Sequence, residues 1–313
     1  MIGREAAIEF AINNYPYAVE RLVEQYEITV RDTHSRLADG WCLQHDGRAI
    51  IRLNQRLKGR GRRFTLAHEL AHLILGIPVT HGETFQEMIQ SDSEEERRVN
   101  ALAAELLMPL PELRRAFPNP PVVAGALKRF AKASNVSELS AAIRVCNAVD
   151  ELGLNNASVV SFRDDELAWQ WSQTLRMSEE TAHELLCRAT ESAPKAFRAE
   201  HEDDQLIVAS VLRNPYFESS TLFVQLLPRE VGEALSPAEK QREFEDKFLN
   251  IDPKFRASVQ GVFGAFKPRC EGLSLDEAVA LFWERNERRF ENTAICTAEG
   301  RLYVRLRIEQ FVA

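Results

Sequence analysis

The run Phe64-Thr65-Leu66-Ala67-His68-Glu69-Leu70-Ala71-His72-Leu73-Ile74-Leu75 constrains this chain more than any other stretch. Its apolar residues leave no polar stripe, so a helix built from it is buried nearly all round. Three ionisable side chains inside such a helix cost several kcal/mol unless something pairs with them. His68 and His72 lie four residues apart and share one helix face, one turn apart. That spacing brings two imidazoles to one metal ion, and Glu69, directly after the first, can reach a water bound beside them. With seven histidines in the 313 residues, an accidental H-E-x-x-H is expected only about 0.015 times in such a sequence. An ordinary buried helix whose histidines bond to backbone fits the apolar flanks and the Gly76-Ile77-Pro78 stop less well. The pattern predicts a zinc site.

A catalytic zinc takes three protein ligands and leaves the fourth position to water. An extended motif would need histidine at position 78, where Pro78 stands, and His81 sits on a loop with no helix to aim it. The acidic run Ser91-Asp92-Ser93-Glu94-Glu95-Glu96 opens a second patterned helix. Val99, Leu102, Ala103, Leu106 and Leu107 are its buried stripe, and Met108-Pro109 ends it. On a helical wheel Glu95 and Glu96 both lie about 50° from the centre of that stripe, while Glu94 points away. Ser93-x-x-Glu96 also reads as a capping box, with Glu96 folding back on the Ser93 amide. Asn100, four residues after Glu96 on the same face, is placed to support a liganding group and tips the choice toward Glu96.

Arg63-Phe64-Thr65-Leu66-Ala67-His68-Glu69-x-x-His72, followed by Glu96-x-x-x-Asn100-x-x-Ala103-Ala104-x-Leu106-Leu107-Met108-Pro109, resembles the ImmA/IrrE family of zinc metallopeptidases. Ile50-Ile51-Arg52-Leu53-Asn54 is similar to the family's strand before the active-site helix, and the resemblance spans about residues 30–150. It implies an α+β architecture with a zincin-like peptidase domain, His68, His72 and Glu96 as ligands of Zn2+, Glu69 as catalytic base and Asn100 behind the ligands. It also implies a helix-turn-helix repressor as substrate, cleaved to release stress-response, mobile-element or anti-phage genes. Single-stranded DNA as activating ligand, and a GAF-like sensor domain near the C-terminus, come from the same resemblance. Two other readings are a non-catalytic zinc-containing DNA-binding regulator and the toxin of a toxin–antitoxin pair. Four protein ligands on the zinc would favour the first, and growth arrest by this chain alone the second.

The rest of the chain divides at expected boundaries of 1–109 for the peptidase domain, 110–153 for a helical, helix-turn-helix-like segment and 154–313 for a regulatory domain. Residues 3–27 read as a helix broken near Asn13-Asn14-Tyr15-Pro16. Residues 41–53 read as a hairpin, an edge that in zincin-like proteases can take substrate by strand addition. Lys58-Gly59-Arg60-Gly61-Arg62-Arg63 reads as a basic, solvated loop. Cys42 is expected as a small buried hydrophobe, with a thiolate in zinc's fourth position as the sharper alternative. In residues 123–152 two helices flank Asn135-Val136, and Lys128, Arg129, Lys132 and Arg144 are the cations that would touch phosphates. A structural or substrate-docking role is favoured over DNA binding there. Beyond Gly153, strands and helices alternate, and 294–297 with 301–310 read as a closing hairpin. A net charge of −8 argues against whole-surface nucleic-acid binding. Five scattered cysteines without a C-x-x-C pair suit free thiols in a reducing cytoplasm, and no run of 18 apolar residues suggests a membrane span.

Overall fold

Period-2 burial in one short segment and period-3.6 burial in two long ones build the layer that carries the histidines. The computed structural model describes residues 2–35, 38–45, 48–78, 93–154, 156–172, 174–193, 195–214, 219–235 and 237–312. His81, Asp46-Gly47 and Ser91-Asp92, named above, lie outside them. The chain is a mixed α+β protein and separates into two compact units, Met1–Glu233 and Ala234–Ala313.

The first unit opens with α1 (Arg4–Asn14) and α2 (Ala18–Gln25). β1 (Thr29–Thr33), β2 (Gly40–His45) and β3 (Arg48–Asn54) form a sheet of order β1-β3-β2. β1 runs parallel to β3 and β2 antiparallel to it. The hairpin is as expected; β1 was not foreseen. Ala49, Ile51 and Leu53 alternate inward from β3. They pack against α3 (Gly59–Leu75), which is buried continuously from Ala67 to Ile74. α4 (Glu94–Leu107) lies beside it and buries the stripe Val99, Leu102, Ala103, Leu106 and Leu107.

The basic loop expected at 58–63 is instead the first turn of α3. Arg63 is buried, with its Nε 2.6 Å from Glu20 Oε1 on α2 and its Nη1 donating to Ser134 O at 2.6 Å. Its Nη2 donates to Pro16 O. Glycines 59 and 61 suggested a loop. Acceptors converging from three segments hold the turn helical and its arginine inside.

α5 (Leu110–Ala116), α6 (Ala124–Ala133) and α7 (Glu138–Asn147) follow. The α6–α7 turn passes through Asn135 in the left-handed region, and Ser137 caps α7 by accepting from Ser140 N. A recognition helix must present a free face to DNA. α7 buries Ser140, Ala141, Ala142, Arg144, Val145 and Cys146. Arg144, named above as a phosphate contact, donates to Met108 O at 3.1 Å and pairs with Glu105. It ties α7 to the end of α4, so the structural role holds for this helix; Lys128, Arg129 and Lys132 remain exposed on α6.

β4 (Asn156–Arg163), β5 (Glu166–Trp171), α8 (Glu179–Ser192), β6 (Phe197–His201), β7 (Gln205–Asn214), β8 (Ser219–Pro228) and the single turn α9 (Arg229–Gly232) complete the unit. The strands make an antiparallel sheet of order β5-β4-β8-β7-β6. One face, through Val160, Phe162, Leu222 and Val224, packs on Ala182, Leu185, Leu186 and Ala189 of α8. The other, through Val159, Val208, Phe223 and Leu227, joins the same apolar core as α1 to α7. Gln225, fully buried, accepts from Val122 N at 2.8 Å and donates to Val122 O at 2.6 Å. The boundaries expected at 109/110 and 153/154 therefore fall inside one core, and the division comes at 233/234.

The second unit is helical throughout its described residues. α10 (Pro237–Phe244) runs into a π turn (Glu245–Leu249), then α11 (Pro253–Phe266), α12 (Leu275–Phe290) and α13 (Ala298–Val312). Phe244, Phe263, Phe266, Phe282, Phe290 and Tyr303 fill its core. The hairpin expected at 294–310 is a 3-10 turn (Ala294–Cys296) and α13. Leu302, Val304, Leu306 and Ile308 alternate like a strand, yet the chain buries Gly300, Tyr303, Val304 and Ile308 at helical spacing and leaves Leu302 exposed. Among the described residues no helix is long and apolar enough to cross a membrane, and all five cysteines are free.

Candidate metal centre

His68 and His72 occupy the buried face of α3, and Glu96 comes to them from the first turn of α4. His68 Nε2 and His72 Nε2 are 3.2 Å apart. His68 Nε2 lies 3.5 Å from Glu96 Oε2, and His72 Nε2 lies 3.5 Å from Glu96 Oε1. Ligand atoms about 2.1 Å from a tetrahedral centre stand about 3.4 Å from one another. The three observed separations match that spacing. Among the described residues these three form the one group able to hold a metal.

The outer ring nitrogens fix the tautomers. His68 Nδ1 donates to Asn100 Oδ1 at 3.0 Å, and His72 Nδ1 donates to Ile77 O at 3.1 Å. The two Nε2 atoms then face each other and the Glu96 carboxylate, an arrangement that a cation between them suits. Gly76 makes the second contact possible. Its left-handed φ of 64° caps α3 and turns the chain so that the Ile77 carbonyl comes back to His72. The sequence had marked Gly76-Ile77-Pro78 only as a stop. Burial, followed by the neighbouring His72, lowers the His68 pKa to about 3, so its imidazole is neutral at physiological pH.

The carboxylates show the complementary deficit. Glu69 Oε2 and Glu96 Oε2 are buried without a hydrogen-bond partner. Burial, opposed by a hydrogen bond from Cys42 and reinforced by the Glu96 charge, raises the Glu69 pKa to about 8. Burial, and next the charge of Glu95, raises that of Glu96. Two desolvated acids beside two converging imidazoles make a pocket that suits a cation, and the donor set of two imidazoles and a carboxylate suits zinc.

The capping box forms by half. Ser93 Oγ accepts from Glu96 N at 3.4 Å, while the Glu96 carboxylate turns to the imidazoles. Glu95, the other wheel candidate, stays exposed. Cys42 stands outside the ligand group: its thiol contacts Glu69, and burial pushes its pKa well up. What the sequence did not reveal is Gly40. A Cβ there would fall 2.6 Å from Thr65 Cγ2 and 2.9 Å from Glu69 Oε1. β2 thus lies directly over the general-base candidate.

An H-E-x-x-H helix beside a second helix that brings a glutamate is an arrangement able to hold a metal ion. Residues 23–145 match the family model described as Peptidase_M78, IrrE N-terminal-like domain. That match supports the resemblance of this part of the chain to the ImmA/IrrE family of metallopeptidases. Among curated proteins no sequence matches. A solved structure, a Mycobacterium tuberculosis transcriptional regulator, is similar over 71% of this chain and 74% of its own, with 14% identity and a TM-score of 0.45.

Proposed function

We propose that the protein is a zinc-dependent endopeptidase whose substrate is a helix-turn-helix repressor, and that the C-terminal part of the chain controls its activity. One observation carries the chemistry: two Nε2 atoms and a Glu96 carboxylate converge at tetrahedral spacing, with a buried Glu69 oxygen in the same pocket. His68, His72 and Glu96 hold the ion. When bound, zinc supplies Lewis-acid polarisation and makes water acidic enough to ionise near neutral pH. Glu69 Oε2 takes the proton of the attacking water and delivers it to the leaving amine. Asn100 and the Ile77 carbonyl hold the imidazoles in the tautomer that presents Nε2. β2, the edge of its sheet, accepts an extended substrate segment by strand addition. The repressor as partner, single-stranded DNA as activating ligand, release of stress-response or antiviral genes and a cytoplasmic location rest on the family resemblance.

The test incubates the purified protein, with zinc or with chelator, with the helix-turn-helix repressor encoded beside it, adding single-stranded DNA in a parallel arm. One discrete cut that needs zinc supports the reading. Glu69→Gln keeps the metal and lowers the cleavage rate by about 10²–10⁴-fold. Undiminished cleavage by that variant refutes the mechanism.

A further inference from the structure

The edge strand next to α3 does more than border the site. Gly40 and Cys42 are alternate residues of β2, so they point to the same side of the sheet. In register, Gly40 pairs with Leu53 and Cys42 with Ile51, whose side chains are buried against α3. Both β2 residues meet the same carboxylate. The place a Gly40 Cβ would take is 2.9 Å from Glu69 Oε1 and 3.2 Å from Glu69 Cγ, so any side chain at 40 would displace Glu69. The Cys42 thiol lies close enough to the Glu69 carboxylate to influence its protonation. Oε2, in contrast, is buried and has no partner.

The geometry points to Cys42 as a positioning residue that, with the bare backbone at Gly40, holds the Glu69 carboxylate against β2 and leaves Oε2 unengaged for proton transfer. This deepens the peptidase reading and rests on it. A general base works when its free oxygen is held at a fixed place; a carboxylate free to rotate spends its time in unproductive orientations. A thiol suits the task because it is a weak donor. It orients the carboxylate without competing strongly for the proton that Glu69 must bind and release. The same strand is the one proposed to take substrate, so a single element sets both the base and the peptide.

The contact has its own signature, independent of turnover. In the infrared spectrum of the full-length protein, metal-free and zinc-loaded, the difference between parent and Cys42→Ser isolates the Cys42 S–H stretch. It is expected at lower frequency than that of the other thiols, and replacing the carboxylate in Glu69→Ala returns it to their position. A Cys42 band that coincides with the other thiols, or that Glu69→Ala leaves unmoved, overturns the inference. In cleavage of the repressor, Cys42→Ala is expected to lose about tenfold in kcat with KM and zinc content unchanged. Cys42→Ser, which keeps a hydroxyl donor, recovers most of that loss. Equal kcat for the parent and Cys42→Ala also overturns it. Should the parent cleave nothing, the peptidase reading fails by itself, and the infrared result still decides whether β2 holds Glu69.

Discussion

Each imidazole of the pocket depends on one atom behind it. The Asn100 carbonyl oxygen holds His68 Nδ1–H, so Asn100→Ala is expected to weaken zinc affinity by about 10–100-fold without unfolding α4. Competition with a chromophoric chelator reads this directly. The acids set the pH response of the metal-free protein. Glu69 moves from its ordinary 4.5 to about 8 on folding. The folded state binds that proton more tightly, so the stability this group supplies is full below about 4.5 and disappears as pH rises through about 8. His68, lowered from 6.5 to about 3, does the reverse, its contribution being lost as pH falls through that window. Below about pH 6.5 the two contributions oppose each other, so urea denaturation in the presence of chelator shows the parent weakening between about pH 6.5 and pH 8. Glu69→Gln weakens less over the same range. An equal slope for both would mean the carboxyl is not desolvated.

At the scale of elements, two buried arginines and one glycine fix how the layers meet. Arg63 joins α3 to Glu20 on α2 and to the Ser134 carbonyl. Arg63→Ala removes the donor those acceptors share and is expected to cost about 2 kcal/mol, the partial exposure of Glu20 keeping the figure below that of a fully buried pair. Chemical denaturation measures it. Gly40→Ala inserts a methyl where Thr65 and Glu69 already stand and is expected to cost about 1–3 kcal/mol by overpacking. A neutral result would show that β2 yields there. The helix-turn-helix-like pair shows why an arginine's type alone is a weak guide. Arg144 reads as a phosphate contact until Glu105 and the Met108 carbonyl are brought to it. Only the fold supplies those two partners.

Across the whole molecule the apolar core decides what counts as a unit. Val159, Val208, Phe223 and Leu227 share one cluster with Leu22, Leu70 and Val145, and Gln225 bonds both backbone groups of Val122. A chain ending at residue 153 is expected to expose that face, unfold with low cooperativity and aggregate, whereas one ending at residue 233 keeps a single cooperative transition that zinc raises. Calorimetry and light scattering on the two truncations distinguish them. If the shorter chain proves as stable and soluble as the longer, the shared core is not needed.

The sequence by itself singled out the three residues that the fold brings together as a candidate metal site. His68, Glu69 and His72 are local in the chain and periodic with a helix, so the helical repeat sets their directions; on the second helix the repeat left Glu95 level with Glu96, and the fold exposes the first and turns the second to the imidazoles. The β2–β3 hairpin was legible for the same local reason. Tertiary structure decided whatever depended on partners distant in sequence. β1, with the polar sequence Thr29–Thr33, becomes a strand only because β3 offers a parallel edge. α13, whose 302–308 stretch alternates like a strand, is a helix because its neighbours bury residues at helical spacing. Gly40 matters because α3 runs beneath it, and the core continues past residue 153 because two elements far apart in the chain cover each other's apolar faces. Periodicity is written residue by residue, whereas the surface that buries each period forms only when the whole chain has folded.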